Sequence, residues 1–437
     1  MHVVKFYRQG KGMLIITAPG QGAQTPGFLA PWLELPGVAE RLGAASELAG
    51  CDLARYGTTA SADEITGTAV AQPLLVAAAI VAAAALSGGE PADLAADAAA
   101  GHSVGELPAG VIAGVLDPDD AMRLVRVRGA AMAAASAAQP TGMTAVLGGE
   151  QDAVLAAIAR HGLEPANVNG AAQIVAAGTC ADLEAFAAEP PPGARLRPLQ
   201  VAGAFHTRYM APAVAALREA AAGIMAADPA MTLLSDADGA AVTTGKEWLE
   251  RIVAQVAAPV RWDLCMRTMA GLGVTALIEL PPAGTLTGLA RRALPGVAQL
   301  AVKTPDQVAA ARQLISEHAA EPAGHGHLPE WRLIVAPAAG RFRSEGDGGA
   351  ESPRPGGSGG MDSPGKDSGG VAPPGEVQLG TVVARGGEQA VTAPWPAEII
   401  EWLVEDGDPV SQGQPLVRVQ PKEGPGGRVP RESGEGA

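Results

Sequence analysis

The sequence predicts a mixed α/β protein: a large domain built on a parallel sheet, an inserted subdomain, and a small β-rich carboxy-terminal module. Three observations lead there. Short apolar runs at 14–18, 97–101 and 275–280 recur between long Ala/Leu-rich segments, the alternation of a parallel sheet covered by helices. Between 142 and 206 the rhythm tightens to strand, helix, strand, strand, helix, strand. After His318 the composition shifts, and residues 344–376 are dominated by Gly, Ser, Pro and charge before strand-like runs resume at Val377.

Each element has its own warrant. Residues 14–18 (Leu-Ile-Ile-Thr-Ala) make a buried strand that stops at Pro19-Gly20, a loop signal. Helices are expected at 36–49 and 73–85, where alanine and leucine favour them. The apolar run 70–86 falls short of the roughly 20 residues of a membrane span, and Gln72-Pro73 interrupts its start. A buried core helix is expected there, with no membrane association. A strand and sharp turn at 98–103 precede helices at 104–113 and 118–136. The inserted stretch offers strands at 143–147, 164–169, 173–177 and 196–202 and helices at 152–161 and 181–188, a ferredoxin-like subdomain over about 142–206. The chain then returns to the main domain, 13–317, through a helix at 209–225 and a strand at 275–280. A mostly flexible linker is expected at 318–376, a β module at 377–422 with strands at 381–383, 399–404 and 416–419, and a disordered tail at 423–437. Residues 1–12, polar and basic ahead of Met13, read as an extension or an alternative start, not a targeting peptide.

Composition narrows the function. With 437 residues and 47% hydrophobic content, the chain can bury a large core in two or more domains. A net charge of −15 argues against nucleic acid as a partner, which needs clustered basic surface. Three cysteines (Cys51, Cys180, Cys265) lie far apart without metal-ligand spacing, so they read as buried thiols of a reducing, cytoplasmic compartment. No metal and no cofactor is expected, and a monomer is.

The chemistry concentrates in Gly101-His102-Ser103-Val104-Gly105-Glu106. Glycines two residues either side of a serine let a strand turn sharply into a helix, leaving the hydroxyl at the apex of the turn. A serine needs a base to take its proton. Of the seven histidines, His2, His318, His325 and His327 lie outside the main body, His161 ends a helix of the insertion, and His102 points away from its neighbour's face. His206 remains, at the seam where the insertion rejoins the body and a cleft between the two is natural. A core histidine satisfied by its neighbours stays open on this reading. So does a plain esterase, although that fold expects an acid between serine and histidine.

Pro19-Gly20-Gln21-Gly22-Ala23-Gln24, Gly101-His102-Ser103-Val104-Gly105-Glu106 and Gly203-Ala204-Phe205-His206, with Val70-Ala71-Gln72-Pro73, Val168-Asn169-Gly170 and Pro259-Val260-Arg261-Trp262, resemble malonyl-CoA:acyl carrier protein transacylases of bacterial fatty acid synthesis, the actinobacterial branch above all. The resemblance spans about 13–318. It implies a parallel-sheet, α/β-hydrolase-like large domain and a ping-pong transfer of malonate from malonyl-CoA to holo acyl carrier protein. It assigns Ser103 as nucleophile and His206 as general base, then acid, held by a backbone carbonyl in place of an aspartate. The backbone N–H groups of Gln21 and Val104 would form the oxyanion hole, and Gln255 would stand beside the catalytic pair. Arg128 would bind malonate's free carboxylate, a task suited to a guanidinium fork. The competing reading of Arg128 is a surface residue like Arg123 and Arg126 on the same helix. Phe205 would fill the space a 2-methyl branch needs, and Asn169 would line the substrate. Two departures stand out: Ala258 where relatives carry Asn, and a variant loop at 280–286. Because carrier proteins are acidic, Arg195, Arg197, Arg208, Arg291 and Arg292 are candidates for docking. A polyketide or malonate decarboxylase system would use the same chemistry.

The carboxy-terminal runs Val391-Thr392-Ala393-Pro394 and Glu401-Trp402-Leu403-Val404-Glu405-Asp406-Gly407-Asp408-Pro409-Val410 resemble biotinyl/lipoyl carrier domains. The position of the modified lysine falls on Gly386, which implies a carrier-like β-fold that cannot be charged. Ile334-Val335-Ala336-Pro337-Ala338-Ala339-Gly340 resembles the opening strand of that domain, making 344–376 an insertion; a tail with a few strands is the plainer alternative.

Overall fold

The structure, a computed structural model, describes residues 12–170, 172–201, 203–318, 332–344, 377–384, 387–393, 397–404, 406–410 and 414–421. The expected extension before Met13, save Gly12, most of the expected linker, Gly386 and the expected tail lie outside them. The described residues fall into two compact units, one ending at His318 and one starting at Arg332.

The first unit contains ten strands: β1 (Met13–Ala18), β2 (Ala98–Gly101), β3 (Thr141–Gly148), β4 (Glu164–Gly170), β5 (Gln173–Thr179), β6 (Ala194–Pro198), β7 (Thr232–Leu234), β8 (Ala241–Val242), β9 (Val274–Glu279) and β10 (Ala298–Ala301). The main sheet runs β10-β9-β1-β2-β7-β8 and is parallel except at the β7–β8 edge. In β1, Leu14 and Ile16 enter one core and Ile15 the other, so both faces of the sheet are covered. That is why β1 reads as an unbroken apolar run instead of an alternating one.

Helix Thr68–Ser87 begins five residues before Pro73, earlier than expected. The carbonyl of Gly67 accepts from both Val70 and Ala71, so the first turn is complete before the proline ring arrives. This helix is long and apolar enough to cross a membrane, yet nearly all of it is buried within the unit. It packs against helix Pro118–Ala137.

The insertion forms its own antiparallel sheet, β4-β5-β3-β6, with helices Gln151–Arg160 and Cys180–Ala188 and a core around Phe186, Ile158 and Val146. Two backbone hydrogen bonds tie β4 to the body: Val168 N–H to the Val260 carbonyl, 2.8 Å, and Val260 N–H to that of Ala166, 2.9 Å. β6 ends at Pro198, short of the expected 202: Leu199 N–H still donates to the Met143 carbonyl at 2.9 Å, but Val201 N–H then turns back to the carbonyl of Leu199 at 2.9 Å. The helix expected at 209–225 is a 3₁₀ turn, Arg208–Met210, followed by helix Ala211–Ala221, with Pro212 in its first turn. Helices Val38–Ala49, Leu53–Thr58, Ala62–Thr66, Glu106–Ile112, Gly245–Gln255, Trp262–Gly271, Thr285–Ala293 and Val308–His318 also belong to the unit. The thiols correct an expectation: only Cys265 is buried, Cys51 is half-buried and Cys180 is exposed. Cys180 opens a helix whose next residue, Ala181, is exposed as well.

The second unit contains β11 (Arg332–Val335), β12 (Gly340–Ser344), β13 (Val377–Ala384), β14 (Gly387–Ala393), β15 (Ala397–Trp402), β16 (Pro409–Val410) and β17 (Pro415–Pro421). They make two antiparallel sheets, β11-β17-β15 and β14-β13-β12-β16. Phe342, Val382, Val391, Leu416 and Val417 share one core. β11 and β12 fall inside the stretch 318–376 expected to be linker. Ile334 and Phe342 are buried in that core, so the strands of the module start at Arg332.

Candidate active site

Gly101 ends β2, Ser103–Gly105 is a single 3₁₀ turn, and helix Glu106–Ile112 follows. Ser103 sits at φ 56°, a left-handed conformation that costs a non-glycine residue about 1–2 kcal/mol. Its flanking glycines are required by space. A Cβ on Gly101 would lie 2.0 Å from the backbone of Gly105, and one on Gly105 would lie 2.2 Å from the carbonyl oxygen of Ala18. The Ser103 N–H donates to Asp236 Oδ2 at 2.7 Å.

His206 closes the pair. Its Nε2 lies 2.7 Å from Ser103 Oγ. Nδ1 lies 2.9 Å from the backbone carbonyl of Gln255, which can only accept, so the proton sits on Nδ1 and the Nε2 lone pair faces the serine. Like the serine, His206 is left-handed, at φ 60°, and its own N–H donates to the carbonyl of Val256. Burial, reinforced by the Arg128 charge, pushes its pKa down to about 3. At neutral pH it is an uncharged base.

Of the three arginines on helix Pro118–Ala137, Arg123 and Arg126 are exposed and Arg128 is buried, 1% accessible. Its guanidinium donates to Gln72 Oε1 at 2.7 Å, to Gln255 Oε1 at 3.0 Å and to Ser103 Oγ at 3.2 Å. Burial lowers its pKa to about 10, so it stays cationic at pH 7. A neutral base, a polarised hydroxyl and a buried cation thus converge on one atom, an arrangement suited to acyl transfer from a substrate with a negative end.

Residues 19–313 match the acyl transferase domain family. The chain is 53% identical over 298 residues to the malonyl CoA-acyl carrier protein transacylase of Mycobacterium tuberculosis H37Rv, an alignment covering 67% of this chain and 97% of that protein. It belongs to the malonyl CoA-acyl carrier protein transacylase family. The Escherichia coli K12 member is 35% identical over 307 residues, 68% of this chain and 97% of its own. The crystal structure of the M. tuberculosis protein superposes with a TM-score of 0.65 at 51% identity, covering 69% of this chain and 99% of that one. A malonyl-transacylase solved with its type II polyketide acyl-carrier protein superposes at 0.64 and 29% identity, again over 69% of this chain and 99% of that one. The chain is therefore an acyltransferase, with the mixed α/β fold and parallel sheet of the solved transacylases.

Around the transacylase core, the remaining expected residues are arranged as follows. Gln255 is buried; its Nε2 donates to Asp236 Oδ1 at 2.6 Å and to Glu106 Oε2. Gln21 anchors its side chain on the Thr66 carbonyl at 3.2 Å. The backbone N–H groups of Gln21 and Val104 meet no acceptor among the described residues. Phe205 is buried in the main core beside His206. The Asn169 amide oxygen lies 2.9 Å from Nε2 of His102, which is buried against Trp262. Arg195 and Arg197 are exposed on β6, and Arg208 pairs with Glu164. Arg291 and Arg292 line a cavity of about 390 Å³ with Gln173 and Thr285.

Three residues of the site have no sequence-level assignment: Gln72, Glu106 and Asp236. Gln72 and Glu106 lie inside quoted motifs, but a glutamate opening a helix ordinarily serves the helix dipole in solvent. Asp236 carries no signal at all.

Proposed function

We propose that this transacylase transfers malonate from malonyl-CoA to the phosphopantetheine thiol of holo acyl carrier protein through an ester on Ser103, supplying extender units for fatty acid biosynthesis. The observation that carries the proposal is Arg128, a buried cation 3.2 Å from the nucleophile hydroxyl. His206 Nε2 takes the Oγ proton as the oxygen attacks the thioester carbon. The negative charge moves to the carbonyl oxygen, where the unpartnered N–H groups of Gln21 and Val104 serve as donors worth about 3–4 kcal/mol each. Collapse breaks the C–S bond, and the imidazolium gives its proton to the departing CoA thiolate. The carrier thiol then runs the steps in reverse, giving its proton to His206 as its sulfur attacks the ester, and Ser103 leaves with that proton.

Arg128 pairs with the free carboxylate of malonate, and its contact with Ser103, the longest of its three, gives way to substrate. The Phe205 ring excludes a 2-methyl branch. Gln255 presents its backbone carbonyl to His206 and its side chain to Arg128, and Asn169 supports the substrate side through His102. The four-stranded insertion, with strand order 4-1-3-2 in its own sequence, supports a ferredoxin-like description, and the elbow after β2 an α/β-hydrolase-like one. We assign 13–317 to a cytoplasmic, monomeric acyltransferase domain and the second unit to a biotinyl/lipoyl-like module that carries no cofactor. The matching position for a modified lysine is Gly386, outside the described residues.

Discharge onto holo acyl carrier protein tests the reading. Malonyl-loaded enzyme is expected to pass its acyl group to the carrier, and His206→Ala to stop both loading and discharge. Release of free malonate without transfer to the carrier would make the protein an esterase.

A further inference from the structure

Below the catalytic pair lie two carboxyl groups that the transfer steps above leave unused. Glu106 and Asp236 are 1% and 0% accessible. They touch each other: the Asp236 N–H donates to Glu106 Oε1 at 2.9 Å, and both carboxyls accept from the same Gln255 nitrogen. Asp236 Oδ2 also accepts the N–H of Ser103 at 2.7 Å. Two anions side by side, both buried from solvent, cannot both stay ionised, so one proton is shared between them.

The contacts give the pair a task. An amide has a donor end and an acceptor end. With its NH₂ claimed by two carboxyls, Gln255 must turn Oε1 toward Arg128, 3.0 Å away. The opposite orientation would set NH₂ against a guanidinium, donor against donor. The backbone carbonyl of the same residue holds His206. Asp236 meanwhile restrains the left-handed Ser103 by its N–H. Nucleophile, base and specificity cation are thus all indexed to one carboxyl pair.

We propose that Glu106 and Asp236 act as one positioning unit, sharing a single proton, that sets the Gln255 amide and the Ser103 elbow and thereby holds Arg128 at the acyl site. The inference rests on the role assigned to Arg128 above. Loss of the shared proton makes the pair doubly anionic, draws Arg128 inward and weakens its hold on a substrate carboxylate. Around the pair stand Arg128 from helix Pro118–Ala137 and the Cys265 thiol from helix Trp262–Gly271, with His206 beyond Gln255. Burial raises Asp236 to about 6 against the pull of its hydrogen bonds and of Arg128, and burial followed by the charge of Asp236 raises Glu106 well above its ordinary value.

The test combines infrared spectroscopy with loading kinetics on the full chain. The wild type is expected to show the carbonyl band of a protonated carboxyl at pH 7 and to lose it on alkaline titration together with malonyl loading. Glu106→Gln, which cannot ionise, is expected to remove both the band and that alkaline fall in rate. Asp236→Asn, which turns an NH₂ toward the Ser103 N–H or the Gln255 amide, is expected to lower kcat/KM for malonyl-CoA about tenfold or more. A merely structural pair would lower Tm and leave the pH profile unmoved. Absence of the band in the wild type, or an unchanged pH profile in a folded Glu106→Gln, overturns the proposal; if neither variant folds, the wild-type band alone decides. Failure of the Arg128 reading is separately visible, because Arg128→Met would then keep its acyl selectivity while the band persists.

Discussion

Arg128→Met removes the guanidinium while keeping much of its volume. In the native site the cation is buried and held by two amide oxygens, Gln72 Oε1 and Gln255 Oε1. A malonyl carboxylate arriving there without it is a buried, unpaired charge, a penalty of about 3–5 kcal/mol. That converts to a loss of roughly 10²- to 10⁴-fold in kcat/KM for malonyl-CoA. Acetyl-CoA has no charge to lose, so its loading is expected to hold steady or rise, and the malonyl-to-acetyl ratio should collapse. The orphaned oxygens lower stability by about 1–3 kcal/mol each, which thermal unfolding reads independently. The assay is initial acylation of Ser103 by each thioester, with folding checked by Tm. A folded variant with the wild-type ratio would refute the reasoning.

Other consequences follow from the same geometry. With His206 held at about 3, the base stays neutral far below the ordinary 6.5, so the acid limb of the loading rate should lie well under pH 6.5; half-loss near 6.5 would show an exposed, ordinary imidazole. The stability sign agrees: the unfolded chain takes up this proton first, so the His206 contribution is lost as pH falls from 6.5 toward 3. Gly105→Ala drives a Cβ to 2.2 Å from the Ala18 carbonyl, so a loss of about 3 kcal/mol or more is expected. An unchanged Tm would contradict the account of the elbow. Asn169→Leu strips buried His102 of its partner and should lower stability by about 1–3 kcal/mol, measured by denaturant melts. An unaltered melting curve would show that the contact contributes nothing.

Local signals carried well into the structure and distant ones did not. The unbroken apolar run of β1, the glycines around Ser103 and the βαββαβ rhythm of the insertion each depend on residues a few positions apart. His206 was legible because chain order left few alternatives. Burial of Arg128 was not, since Arg123 and Arg126 share its helix and composition; what separates them is the placement of Gln72 and Gln255, each far away in sequence. The Glu106–Asp236 pair is the extreme case, two acids brought together across 130 positions. Strand β11 showed only as the short resemblance at 334–340, and β12 not at all, because β11 pairs with β17, beyond a long Gly/Pro-rich stretch.

The central claim is that malonate rides on Ser103. Intact-protein mass measurement after exposure to malonyl-CoA tests it most directly. The account predicts a single malonyl adduct on the wild type, none on Ser103→Ala, and little acetyl adduct under matched conditions. An adduct that survives in Ser103→Ala, or equal loading by acetyl-CoA, would contradict it.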